Sequence, residues 1–347
     1  MFTTSLRRAA GCCALASFAR AGAALAQSPA PAHASGGDAR LTLQPGDRVI
    51  LIGNTLAERQ QYFNNFETTL LVRQAALGLT VRNLGWSADT LTLQPRPLNF
   101  GDAPSHLAAQ KADVIIAFFG ANESFDGEAG VAGFEKDLEA YVEAHRAARY
   151  NGRTAPRLAL VSPIAHERLP RLVHVDVEGR NRELARYTEA MRRVAARLGV
   201  PFADVFTPTR EAMARAASPL TVNGIHLNED GDRVFADILM EKLGLATGAV
   251  PVRGKAYAAL KGIVKEKNRL FFLRFRPLNA EYVVGRRVDP FGSVNFPPEM
   301  KQLDTMVAAQ DKRIAQEARR IGRRGGGASA RKPAAPSRQA TSPEEGL

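Results

Sequence analysis

The chain has 347 residues, of which 45% are hydrophobic and 24% charged. That composition excludes collagen, coiled coil and wholesale disorder, and no run of about 18 uncharged apolar residues is present to build a multi-span helical membrane protein. The formal net charge of +12 sits at the ends: residues 1–26 hold three positives and no acid, 248–318 carry net +6, 319–347 net +5, and 27–247 only −2. A slightly acidic middle argues against a nucleic-acid partner, because neutralising several phosphates needs a cationic face on the domain itself.

Residues 1–26 read as an export signal. Arg7 and Arg8 precede a short apolar stretch, and Ala24-Leu25-Ala26 fits a small-x-small cleavage site. Cys12 and Cys13 would leave with it, so the mature chain is expected to hold no disulfide, thiol nucleophile or Cys–metal site. Residues 27–44, rich in Ala, Pro, Gly and Ser, read as a linker.

Strand and helix patterns then alternate. Arg48–Gly53 is a nearly continuous apolar run, as in a strand buried on both faces. Helical spacing is expected over Leu56–Leu77, a strand over Leu79–Leu84, and the clearest buried strand over Asp113–Gly120. A helix over Phe134–Ala148, a strand over Arg157–Val161, a helix over Asn181–Leu198, a strand over Val200–Phe206 and a helix over Glu229–Leu243 follow. Five strands separated by helices predict an α/β domain over 45–247, with a parallel sheet covered on both faces. The site of such a sheet lies beyond the strand C-termini. There the sequence places Gly53-Asn54-Thr55-Leu56, Gly85-Trp86-Ser87, Gly120-Ala121-Asn122-Glu123, Ser162 to Glu167, and Asn223-Gly224-Ile225-His226-Leu227.

These loops resemble the four motif blocks of the SGNH (GDSL-type) hydrolases over about 47–243, and more narrowly secreted planctomycete-type members. The resemblance implies a three-layer, flavodoxin-like fold and ester hydrolysis without metal or cofactor. It implies Thr55 as nucleophile, Gly85 and Asn122 as oxyanion donors beside the nucleophile's N–H, His226 as base, and Asn223 in the place of the acid. Two substitutions depart from the family pattern. Thr55 stands for its Ser, adding a methyl group that restricts rotation. Asn223 stands for its Asp, and an amide can neither stabilise imidazolium nor enforce the productive tautomer; the same change in a serine protease costs about 10⁴ in rate.

Bland roles compete: Thr55 could cap a helix, Gly85 could serve a turn, and Asn122 and Asn223 could hold Asx turns. Asn54, Ser87, Glu123, His166 and Glu167 are candidates to line the cleft; Ser87 is an alternative hydroxyl, and His166 or Glu167 could contact substrate or supply the missing acid. No zinc-type spacing supports a metal at His166, Glu167 and His174.

The basic extension, 248–321, is expected to pack an amphipathic segment (255–276) on the core, to wrap it with an ordered coil (277–298), and to form an amphipathic helix over 299–320. The Arg/Gly/Pro-rich stretch 322–347 is expected to be disordered, a cationic tail for an anionic envelope surface. The whole reads as an exported bacterial esterase that removes short acyl groups, such as acetyl, from a carbohydrate. The alternative is a catalytically silent binder of carbohydrate or envelope polymer on the same scaffold.

Overall fold

The computed structural model describes residues 40–171, 173–246 and 253–328. The expected leader, most of the linker and the tail beyond 328 lie outside the described residues.

Five parallel strands form the sheet: β1 (Arg48–Gly53), β2 (Thr80–Asn83), β3 (Val114–Phe118), β4 (Arg157–Val161) and β5 (Phe202–Ala203), in the order β2-β1-β3-β4-β5. Alternate residues of each strand enter opposite cores. Val49, Leu51, Val114 and Ile116 face one layer, while Ile50, Ile52, Ile115 and Ala117 face the other. Burial on both faces is why these strands read as unbroken apolar runs.

Helices fill both layers. α1 (Thr55–Phe63), α2 (Asn65–Arg73) and α7 (Glu229–Lys242) lie on one face. α3 (Ala103–Gln110), α4 (Val131–Ala147) and α5 (Val177–Leu198) lie on the other. The helix expected over Leu56–Leu77 is broken. Asn64 adopts a left-handed conformation (φ 60°), which Asn tolerates better than most residues, and it ends α1 and starts α2. A short 3₁₀ turn at Ala75–Leu77 completes the segment. β5 is shorter than the expected Val200–Phe206. Ser162 Oγ accepts from the N–H groups of Val205 (2.9 Å) and Phe206 (3.1 Å) and turns the chain into α6 (Phe206–Arg215).

The C-terminal extension contributes α8 (Lys255–Phe275), α9 (Ala280–Val283) and α10 (Phe296–Ala328). Its middle is thus not all coil, and helix continues through 322–328, where disorder is expected. α8 crosses the open edge of β2: Leu260 and Val264 enter one core and Leu270 and Phe271 the other. Between them Lys267 is fully buried, donates to the edge carbonyl of Val81 (2.9 Å) and pairs with Glu67 (2.7 Å). Asn268 donates to Glu67 (2.6 Å) and to Asn64 Oδ1 (2.5 Å). An edge strand left bare would invite pairing with another chain; here the extension covers it and ties itself to the α1–α2 break.

Candidate active site

The turn after β1 is set by Gly53. Its φ is +126°, and a Cβ there would stand 2.1 Å from the Phe118 carbonyl oxygen. Only glycine lets β1 run that close to β3 and leave the sheet into α1. Asn54 is the helix cap, its Oδ1 accepting from Leu56 N–H at 3.1 Å. Thr55 is therefore the first helical residue rather than the cap. Its N–H has no acceptor within the helix, and its Oγ1 accepts from Ala88 N–H at a long 3.4 Å.

Thr55, Asn122, His226 and Asn54 line one cavity of about 270 Å³ at the C-terminal ends of β1, β3 and β4. The remaining lining is mostly apolar, including Phe118, Phe119, Phe125, Ile164 and Leu184, with His166 and Arg180 among the polar residues. No hydrogen bond joins Thr55 to His226 among the described residues. Burial, and then the nearby charge of Arg59, pull the His226 pKa below that of an ordinary histidine, with Glu58 opposing. Its resting state at neutral pH is the uncharged imidazole.

Asn223 sits behind the ring. Its Oδ1 accepts from the backbone N–H of His226 (3.0 Å) and Ile225 (3.4 Å), which fixes the orientation of the amide. The Nδ2 group is left to face His226 Nδ1 at 3.1 Å. An NH₂ group can only donate there, so Nδ1 accepts and the imidazole proton resides on Nε2. That tautomer can donate to an oxygen in the cleft but cannot take the Thr55 proton.

Several expected roles change. Gly85 N–H donates to Asn83 Oδ1 at 2.8 Å and is not free for an oxyanion. Gly85 is required for packing instead, because a Cβ would lie 2.4 Å from the Glu58 nitrogen of α1. Asn122 donates one amide hydrogen to Asp89 O (2.9 Å). Its second amide hydrogen and the Thr55 N–H are the donors available to an oxyanion. Glu123 does not line the cavity; its two oxygens accept from Leu91 (3.0 Å) and Gly120 (2.8 Å), bracing two loops, and burial raises its pKa. Glu167 is not the missing acid. Its oxygens accept from Leu220 (2.8 Å) and Thr221 (2.7 Å), holding the base of the His226 loop. Ser87 is exposed and donates to Glu58 rather than lining the cavity. His166 does line it, its backbone pinned by Asn181 (2.8 and 2.9 Å). Among the described residues no group of three or more His, Cys, Asp or Glu could hold a metal.

Sequence reasoning gave no role to four residues here. Arg180, from α5, lines the cavity. Glu58, one turn beyond Thr55, accepts from Arg276 at 2.8 Å. Arg276 and Arg96 both pack on the Trp86 ring, 3.8 and 4.3 Å from its centroid, and Arg96 makes a two-point bond to Asp89 (2.8 and 2.6 Å). The loop carrying Ala88 and Asp89 to Thr55 and Asn122 is thus fastened from the extension. The Arg-Pro-Leu-Asn segment beginning at Arg276 was the available signal.

Among solved structures, a gut microbial diltiazem-metabolizing enzyme shares the fold at a TM-score of 0.57 and 12% identity, covering 81% of this chain and 97% of its own. An acetylxylan esterase from Geobacillus stearothermophilus matches at 0.45 and 16%, over 59% and 97%. An α/β hydrolase enzyme from the metagenome of Lake Arreo, Spain, matches at 0.43 and 19%, over 59% and 99%. No curated protein sequence matches. The family model of the GDSL-like lipase/acylhydrolases covers residues 51–234, more than half of the chain. With the five-stranded parallel sheet and the motif loops gathered at its C-terminal edge, the chain belongs to the GDSL-like lipase/acylhydrolase (SGNH) family.

Proposed function

We propose that this protein is an exported ester hydrolase that removes a short acyl group from a carbohydrate or related ester. The observation that carries the reading is a single cavity lined by a hydroxyl (Thr55), an imidazole (His226) and an amide donor (Asn122). In the reaction Thr55 Oγ1 bonds to the acyl carbon and the ester C–O bond breaks. The Thr55 proton passes through His226 to the departing alcohol; water then releases the acid by the reverse sequence. Thr55 N–H and Asn122 Nδ2 face the developing oxyanion, and such donors contribute about 3–4 kcal/mol each. For His226 to act as base, Nδ1 must carry the proton, which requires the Asn223 amide to turn away from its backbone partners. Removal of residues 1–26 on export belongs to the same proposal, as does contact of the basic tail with an anionic envelope surface.

The test is hydrolysis of p-nitrophenyl acetate by the mature protein, beside His226→Ala. Turnover lost in His226→Ala supports the proposal. Turnover that survives His226→Ala overturns the assignment. The Asn223 bond favours a second reading, a silent binder, because it holds the unproductive tautomer. No turnover of any short-chain ester, together with binding of an acetylated saccharide, would select it.

A further inference from the structure

The cavity has a second pole. β1 delivers Thr55, and β4 delivers the loop of His166. With β3 between them, the two strand ends stand two spacings apart, roughly 10 Å. Arg180, near the start of α5, lines the same cavity and is held on the loop that follows β3. Its guanidinium donates to Ser124 Oγ (2.9 Å) and Ser124 O (3.3 Å) and lies 3.8 Å from the centroid of the Phe125 ring.

Arg180 forms no ion pair among the described residues, although most arginines of α5 do. Glu183, one turn further, makes no hydrogen bond to Arg180: its Oε1 accepts from Arg186 at 2.6 Å, and its Oε2 is buried without a hydrogen-bond partner. No Asp or Glu lines the cavity. Two of the five guanidinium N–H groups are used on Ser124, and the rest remain. Beside it, His166 Nε2 is buried with no hydrogen-bond partner. Burial pulls the Arg180 pKa down, and the nearby charge of Glu183 opposes it. A partly desolvated cation with no anion bonded to it is costly to keep, and the Phe125 and Ser124 contacts fix its orientation in advance.

Building on the hydrolase reading above, we infer that Arg180, with His166, forms an anion subsite of the cleft, and that the ester it takes carries a carboxylate. The guanidinium fork suits a carboxylate in two-point contact. The cavity of about 270 Å³ that holds both Thr55 and Arg180 has room for a dicarboxylic acid half-ester of four or five carbons, and the apolar walls suit its methylene chain.

The experiment compares p-nitrophenyl hemiglutarate with p-nitrophenyl 5-methylhexanoate, in which two methyl groups replace the carboxylate oxygens. Wild-type protein should prefer the hemiglutarate by at least about tenfold in kcat/KM, mainly through KM, as for a charge-assisted hydrogen bond. In Arg180→Gln the ratio should fall to about one or below. A wild-type preference for the neutral ester, or a ratio unchanged in Arg180→Gln, overturns the inference. Melting curves accompany the assay. If Arg180→Gln misfolds, Arg180→Lys takes its place: it keeps the charge but loses the fork, so the ratio should drop at least about threefold, and an unchanged ratio is again fatal. Calorimetry with glutarate separates this inference from the hydrolase reading. Glutarate bound by a protein that hydrolyses neither ester, and weakened at least about tenfold in the variant, sustains the subsite and removes the hydrolase. Turnover of the neutral ester without glutarate binding does the opposite.

Discussion

Lys267 and His226 each sit in a cluster closed by Asn side chains, and the two clusters are built on opposite principles. Around Lys267 the buried ammonium meets the Glu67 carboxylate at 2.7 Å, with the Val81 carbonyl and Asn268 taking further hydrogens. Burial lowers the Lys267 pKa and Glu67 opposes it. Around His226 the partner behind the ring is a neutral amide, and burial lowers the imidazole pKa with no adjoining carboxylate bonded to Nδ1. The structural cluster is charge-complete; the cleft cluster lacks a compensating charge. A site without that charge rests in one neutral tautomer, whereas a buried ion pair supports the fold only while both members are present.

The largest effect is expected where the complete cluster is broken. Lys267→Met should cost about 3–5 kcal/mol in urea unfolding, because it leaves Glu67 buried and uncompensated. Adding Glu67→Gln should recover most of that loss. A double variant no more stable than the single one would show that lost packing, not charge, dominates.

Completing the incomplete cluster is the converse. Asn223→Asp keeps one oxygen on the His226 and Ile225 N–H groups and offers the second to Nδ1–H, restoring the base tautomer. Combined with Thr55→Ser it should raise kcat/KM on short-chain esters by at least about 10²-fold, a fraction of the roughly 10⁴ cost of the reverse change. A folded double variant with no gain would argue for the binding reading.

The pH profile sharpens the same contrast. A base must be deprotonated, so activity is lost as pH falls through the His226 pKa. That pKa is lowered by burial and Arg59, so the acid limb should lie below the range of an ordinary histidine. The carboxylate of Asn223→Asp favours imidazolium and should move the limb to higher pH. A limb that stays in place would mean that the new carboxylate does not reach the ring.

The smallest effect separates cap from nucleophile. Asn54→Ala should destabilise by about 1 kcal/mol through the lost cap. Thr55→Ala should change stability by only a few tenths of a kcal/mol while abolishing acyl transfer. Unchanged hydrolysis in Thr55→Ala would rule out this nucleophile.

The sequence by itself determined the sheet and the loops that meet at its edge. Runs such as Val114–Phe118 are apolar at every position because both faces are buried, and that pattern is local. Gly53, Thr55, Asn122 and His226 are likewise legible, because each follows a strand or precedes a helix at a motif position. Tertiary structure decided what the polar atoms bind. Gly85 N–H is taken by Asn83, Glu123 and Glu167 are consumed by loop backbone, and Asn223 turns its NH₂ toward the ring because backbone N–H groups claim its oxygen. Those partners lie up to 54 residues away, and hydrogen-bond capacity is assigned only once they converge. Arg180 and Arg276 escaped notice for the same reason: a charge on a helix reads as solvated until the fold shows what lies beneath it.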